Sequence, residues 1–557
     1  MQTSNTNQRS ARFVVAAMLL ALTMLAAGSP VSAQNASDAS STTIRIEGGG
    51  WGHGVGMSQY GAYGRALAGQ SHEQILGFYY PGTELATRDV GDAGVRVHLS
   101  TARSIRVETT GVVRLRDADG TVVWTSAGAT TLIVDRLTNG RMRVRTPNGV
   151  NRCRVDGVNV CRSRPVTIDF TQGEPVRTVP SGVADPFGTS GNRYQWGRLV
   201  FTPRPGTNDT LWQVLEGLSM QQYLYGIAEV PSSWPEAALE SQAIAARTFA
   251  ASNIAARRAD PNRTVPWDLF SSVYDQFYSG YGHEIAAMSD RWRDAVDRTA
   301  DRVLTYNGQP FAAFYSSSNG GHSEDSGYVF VTSLPYLVAQ PDRFDSEGNP
   351  FATWVREYSG SDIGRWIAAA GRGSIGEAVS LSISGNVGAS GRVERATITV
   401  RGTTGTATMT GSQFRSAVNN GVIAAGGGLD SQLLSTKFTV GAVGASGNLS
   451  APIGALEDTR RRNGTAIVGG WVADPDVVDA GANAAVAPVE VRITVGRRTV
   501  ATTTASQYRF DMDQVYGHRT TRGFRVAVDI PDRRRRVCAY ATSDDGGPEV
   551  LLGCRRI

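Results

Sequence analysis

Apolar residues recur along this 557-residue chain in two rhythms. Near the C-terminus Val489, Val491, Ile493 and Val495 alternate with Glu490, Arg492 and Thr494, and Phe524, Val526, Val528 and Ile530 alternate with Arg525, Ala527 and Asp529. A period of two gives a strand one buried face, so these segments predict an all-β, sandwich-like tail. The stretch from Val95 to Pro203 is also strand-rich and is punctuated by the turn pairs Asp119-Gly120, Asn139-Gly140 and Asn148-Gly149. Elsewhere the rhythm is helical. Leu239, Ala243, Ala246 and Ala250 make one stripe, bordered by Glu236, Glu240 and Arg247. Ser232 or Ser233 is expected to cap this helix, with Pro235 in its first turn and Glu236 near the positive end of its dipole. A second helix is expected around Ser289 to Thr299. It runs into a strand ending at Tyr306, where Asn307-Gly308 signals a tight hairpin.

Low-complexity stretches divide the chain. Residues 1–33 read as an export signal, with Arg9 and Arg12 ahead of the apolar run Phe13 to Ala27 and the small-residue site Val31-Ser32-Ala33 behind it. That run falls short of the roughly 20 apolar residues that span a bilayer, and nothing later is apolar enough to do so. A solvated linker over 34–42 leads to a mixed domain over 43–443. A linker rich in Gly, Ala and Ser over 444–460 precedes the β-rich domain, 461–557. The predicted class is α+β, a mixed domain with strand-rich insertions followed by the sandwich-like tail.

Composition narrows the function. With 41% hydrophobic and 19% charged residues the chain is ordinarily globular, and its 64 Gly and 22 Pro point to many turns, which excludes wholesale disorder. Lys437 is the single lysine and follows Ser-Thr, so no phosphate-binding GxxxxGK[ST] loop exists. The formal charge of +5 falls to +3 once the two arginines of the export signal are removed, too weak and dispersed for a nucleic-acid reader. Cys153, Cys161, Cys538 and Cys554 lie in the exported part, and pairing by nearness predicts two local disulfides, Cys153 with Cys161 and Cys538 with Cys554. Neither pair has CxxC spacing or a nearby His, which argues against zinc.

Four segments carry the candidate chemistry. In Gly48 to Gln70, with Ile75 to Leu85 behind it, glycines surround His53, and Trp51, Tyr60, Tyr63, Tyr79 and Tyr80 supply flat rings suited to a sugar. The segment breaks both the dinucleotide fingerprint, at Met57, and the nucleophile elbow, at Tyr60. In Tyr223 to Phe249, Glu229 ends an apolar run, where desolvation would raise its pKa and hold it protonated as a general acid requires. A Glu paired with a helix amide or with Arg247 is the structural alternative. Val273 to Glu284 and Phe311 to Asp325 complete the set. The Ser316-Ser317-Ser318 run with His322 reads as hydroxyl-rich ligand contacts, because no elbow or assignable acid supports a Ser–His hydrolase. The candidate substrate contacts are His53, Gln59, Tyr60, Gln276, Tyr278, Tyr315, Ser317, Ser318 and His322.

Together the strings GHGVGMSQYGA, YLYGIAEVPSSWP, AIAARTF, VLTYNG and FYSSSNGGH resemble the SpoIID/LytB family of bacterial cell-wall proteins. The resemblance implies an exported lytic transglycosylase acting on peptidoglycan glycan strands, with the catalytic Glu at Glu229 and a functionally important Arg at Arg247. Arg247 would bind a substrate oxygen, hold Glu229, or pair with Glu236 or Glu240. The family's other name implies a non-catalytic alternative, a wall-binding protein that enhances an amidase, so a cell-wall amidase is a further expected partner. Three departures stand out. The GHGVGMSQ motif comes first here, which implies a circular permutation with Ile44 near Val440. Where some relatives have a His-Cys pair proposed to bind metal, this chain has Tyr274-Asp275, so neither metal nor cofactor is expected, although Asp275 and His283 could contribute. The family's glycine before the Val303 strand is Asp301.

Overall fold

The computed structural model describes residues 42–89, 94–155, 158–161, 164–181, 192–286, 288–440, 453–462, 464–473, 489–496, 498–505, 507–508, 522–530, 535–542 and 549–556. The export signal, the first linker up to residue 41 and residues 444–452 of the second lie outside the described residues. Helices and mostly antiparallel sheets occupy separate stretches, an α+β arrangement.

A three-stranded sheet ties the beginning of the body to its end. Thr43–Gly48 lies between Trp354–Ser359 and Phe438–Val440, with Ile46 opposite Val440 and Gly48 opposite Phe438. Ile44 and Ile46 are fully buried, so the hydrophobic effect holds this pairing without a connecting loop. The two ends have the closeness expected of them from the order of the motifs.

Helices α1 (Gln59–Leu67), α2 (His72–Tyr79) and α3 (Met220–Tyr225) surround the long helix α4 (Glu236–Ala259), and α5 (Tyr281–Glu284) and α6 (Ser289–Arg298) complete the group. The stripe of Leu239, Ala243, Ala246 and Ala250 is buried as its period predicts, but Ser241, Gln242, Ile244, Arg247 and Thr248 are buried too. Over residues 241–250 helix α4 is thus enclosed all round. Its small alanines let neighbouring backbones come close. The hairpin signal also holds: Tyr306 pairs with Gln309 across Asn307 and Gly308, both with positive φ. Asp301 has φ +59, a conformation that glycine adopts freely and Asp tolerates better than most residues.

The strand-rich insertion forms a seven-stranded and a five-stranded sheet, and the predicted Cys153–Cys161 disulfide closes a short hairpin beside them. The tail consists of two four-stranded sheets, with Cys538 bonded to Cys554 across adjacent strands. Its first strand, Ile453–Arg462, begins well before residue 461. A bulge at Leu456/Asp458 and a run of charged residues hide the period of two there. Leu456, Val468, Val491 and Ile493 build the sandwich core, whereas Ala455 and Trp471 belong to the continuous apolar cluster of the body. Trp471, 1% exposed, is therefore the apolar anchor of tail to body.

Replacing that anchor, Trp471→Ala, is expected to cost roughly 3–5 kcal/mol. Calorimetry should then resolve a tail transition separate from the body's; a single transition unchanged from wild type would refute the anchor role.

Candidate active site

The site begins where α3 ends. Ser219 and Gln222 form a capping box that starts the helix, and Gly226 stops it. Ile227 then pairs with Tyr278, the Ala228 amide donates to the Phe277 carbonyl at 2.9 Å, and the Phe277 amide donates to Glu229 Oε1 at 2.7 Å. Two backbone segments far apart in sequence thus aim one carboxyl. Gly226 permits the approach, since a Cβ there would lie 2.5 Å from the Tyr278 ring and 2.8 Å from Gly280 Cα. The Tyr315 hydroxyl donates to the same Oε1 at 3.4 Å and is itself held by the Gln276 amide at 2.8 Å. Gln59 also donates to the carboxyl, and its amide reaches Gln242 on α4 at 3.4 Å.

Burial outweighs these donors and pushes the Glu229 carboxyl from 4.5 up to about 7. Because Oε1 accepts from both Phe277 and Tyr315, the proton of the neutral acid belongs on Oε2.

Glu229 opens into a cleft of about 1190 Å³. The body contributes Trp51, Gln59, Tyr60, Trp234, Ser317 and Phe351, and Tyr60 meets Trp234 and Phe351 edge-on with ring centres 5.1 and 5.8 Å apart. Ser232 and Ser233 do not cap α4; Pro235 is its N-cap without a side-chain hydrogen bond, and the Val230–Pro235 turn packs Trp234 against Tyr60 and Tyr63. The tail contributes Glu457, Asp458, Arg460, Arg525 and Arg555, the last donating to the Tyr63 hydroxyl at 3.0 Å.

Residues 208–306, which include Glu229, match the family described as Stage II sporulation protein, SpoIID. Over 119 residues, 21% of this chain, it is 37% identical to the amidase enhancer of Bacillus subtilis, covering 15% of that protein. Over 155 residues, 28% of the chain, it is 34% identical to an uncharacterised protein of Brachyspira hyodysenteriae, covering 39% of it. Over 144 residues, 24% of the chain, it is 28% identical to stage II sporulation protein D of Bacillus subtilis, covering 42% of it. Through this segment the chain is similar to the SpoIID family and to proteins named amidase enhancer and stage II sporulation protein D. It spans less than half the length of each of these relatives.

The matched SpoIID segment holds Glu229, Gln242, Arg247 and Gln276, while Gln59, Tyr60, Tyr315 and Ser317 come from outside it. Of the expected substrate contacts, Gln59, Tyr60 and Ser317 line the cleft. Tyr315 touches Glu229, and Gln276 is buried behind it, bridging Tyr315, the Tyr223 hydroxyl and the Ala246 carbonyl. Four expected contacts sit elsewhere. Tyr278 stacks between Tyr223 and Tyr194 in the core. Ser318 and Asn319 are lashed to the buried carboxylates of Asp345 and Asp342. His53 accepts from the Val55 amide at 3.0 Å and lies edge-on to Phe314 and Phe330; burial first, then Arg392, lowers its pKa to about 3, so it is neutral. His322 Nδ1 faces the Ser323 carbonyl at 2.7 Å.

Arg247 does not reach Glu229, nor does it pair with Glu236 or Glu240, which Arg298 takes instead at 2.9 Å each. Its fully buried guanidinium donates to Gln221 at 2.9 Å, to the Val296 carbonyl at 3.1 Å and to the Arg302 carbonyl at 3.2 Å. It therefore satisfies backbone acceptors at the end of α6 and the start of the next strand. Asp275 is consumed by Arg257, with two contacts of 2.7 Å, and His283 lines the cleft with its pKa lowered by burial to about 4. Among the described residues no cluster of His, Cys, Asp and Glu is arranged to hold a metal. Gln242 and Trp234 escaped the sequence reading; a polar residue inside the alanine run of α4 was the one available signal for the former.

Arg247→Met should leave those acceptors unpaired and lower stability by roughly 3 kcal/mol or more, seen in denaturant titration. A variant as stable as wild type would contradict this clamp. Glu229 gives a second test. Its folded pKa of about 7 exceeds the ordinary 4.5, so the native state loses stability as pH rises from 4.5 through 7. Glu229→Gln should match wild type at about pH 4 and be about 2–3 kcal/mol more stable at about pH 8; equal stability at both would show the carboxyl to be solvated.

Proposed function

We propose that this protein acts on the bacterial cell wall and cleaves peptidoglycan glycan strands as a lytic transglycosylase, with Glu229 as acid and then base. The observation that carries the reading is a single carboxyl, protonated up to about pH 7, opening into a cleft walled by Trp51, Tyr60, Trp234 and Phe351. Such rings stack on sugar faces. In the first step Oε2–H protonates the glycosidic oxygen between N-acetylmuramic acid and N-acetylglucosamine as that bond breaks. The C6 hydroxyl of the muramic residue then closes on C1, and the Glu229 carboxylate takes its proton, restoring the acid and forming a 1,6-anhydro end. Because the substrate supplies the nucleophile, the second carboxylate that most glycosidases place about 5–9 Å away is not required. Gln59, Tyr315 and the Phe277 amide stabilise the carboxylate between the two steps.

The rival reading, a non-catalytic enhancer of a wall amidase, draws on the name of the Bacillus relative. It gives the raised acid no task. Export to the cell wall is part of the proposal, in keeping with the Bacillus names.

Glu229→Gln should abolish release of 1,6-anhydro products from purified glycan strands, read by mass spectrometry, while binding persists. Wild-type turnover should fall as pH rises through about 7. Undiminished turnover by the variant, or reducing ends in place of anhydro ends, would sink the mechanism.

A further inference from the structure

The charged side chains around the cleft come from two separately built cores. The body supplies Arg291, and the tail sandwich supplies Glu457, Asp458, Arg460, Arg525 and Arg555. Four guanidinia thus face two carboxylates beyond Glu229 itself. Arg460 and Arg525 share one acid, Asp458, at 2.9 and 3.8 Å, and their side chains remain 63% and 57% exposed. Arg291 donates to the Ser233 carbonyl at 2.7 Å and has no ion-pair partner among the described residues. Burial first, and then the nearby Arg460 charge, hold the Arg291 pKa below its usual value, with Glu236 and Asp458 opposing. Like charges gathered across an interface cost free energy unless an anion comes between them. The wall is also fixed in place, by buried Trp471 and by Arg555 on Tyr63, so these arginines belong to the cleft and not to a loosely tethered module.

We propose that the tail forms an anion subsite of the cleft, in which Arg460 and Arg525, with Arg291 from the body, hold a carboxylate carried by the glycan strand being cut. This rests on the reading of Glu229 as serving a saccharide bond. Guanidinium suits the task because its planar fork matches a carboxylate with two parallel N–H donors. The carboxylate has two possible sources on a wall glycan: the lactyl group of muramic residues freed of their peptides, or the peptides themselves. A strand of N-acetylglucosamine alone offers neither.

The test uses the full chain carrying Glu229→Gln, so that binding is measured without turnover. Three probes are compared by calorimetry: glycan strands bearing stem peptides, strands stripped of them, and N-acetylglucosamine oligomers of equal length. At least one carboxylate-bearing strand should bind about tenfold more tightly than the neutral oligomer. Adding Arg460→Gln and Arg525→Gln should erase that margin, so that the carboxylate-bearing strand binds no more tightly than the neutral oligomer in the same variant. A margin held by stripped strands identifies the lactyl carboxylate; one held only by peptide-bearing strands identifies the peptide. Equal binding of all three probes, or an undiminished margin in the arginine variant, overturns the proposal. Salt titration of the parent protein gives a readout independent of the arginine substitutions: affinity for charged strands should fall with salt, and a flat response also overturns it. Absence of anhydro products from the wild-type protein would instead overturn the reading of Glu229, and the binding comparison would stand.

Discussion

A hydrogen bond from the Phe277 amide to Glu229 Oε1, at 2.7 Å, is the constraint around which the site is arranged. It exists because the residues after α3 lie against the segment around Tyr278, an approach that only glycine at position 226 allows. That contact buries the carboxyl while giving one of its oxygens a donor. Burial raises the pKa and the donors lower it; burial wins, and the acid titrates near neutrality instead of far below it. Gln276, Tyr223 and Tyr315 form the hydrogen-bonded shell behind this arrangement. Their rings and amides are packed in the core and cannot reorient freely, so the carboxyl is presented in one pose.

The remaining architecture serves to enclose this acid. Helix α4, alanine-rich and buried on every side over residues 241–250, brings Gln242 under Gln59. Asp342 and Asp345 bind α1, its cap Ser58 and the Ser318-Asn319 segment through buried carboxylates. Arg247, which the family resemblance singles out, works one layer further away as a clamp between α6 and the following strand. A fully buried guanidinium with four backbone and side-chain acceptors is costly to remove, so its importance needs no contact with substrate. The tail completes the cleft. By placing Trp471 in the apolar cluster of the body, the chain turns an appended sandwich into a wall of the site.

Much of this was legible in the residues, wherever the determining interactions are local. The Asn307-Gly308 hairpin, the stripe on α4 and the alternating tail strands follow from backbone preferences and from the period of burial. The disulfides followed from nearness in sequence. Glu229 stood out because an acid at the end of an apolar run is desolvated in almost any fold that buries the run. Illegible were the partners that meet from a distance. Gln59 and Gln242 are 183 residues apart, and nothing at either position announces the other. His53, Ser318 and His322 looked like ligand contacts because polar residues among glycines often are, yet here the Ser318 hydroxyl and Nδ1 of each histidine are taken up within the protein.

Local propensity and periodicity, then, were enough to place many of the elements and to mark Glu229 as a desolvated acid. They could not say which polar groups would be spent on holding the fold, because a hydrogen bond made inside the protein and one kept for a ligand draw on the same residue types. That choice depends on which surfaces meet. Arg247 became a clamp when α6 closed over it, and Arg460 and Arg525 became part of the cleft when Trp471 found its place in the body's core.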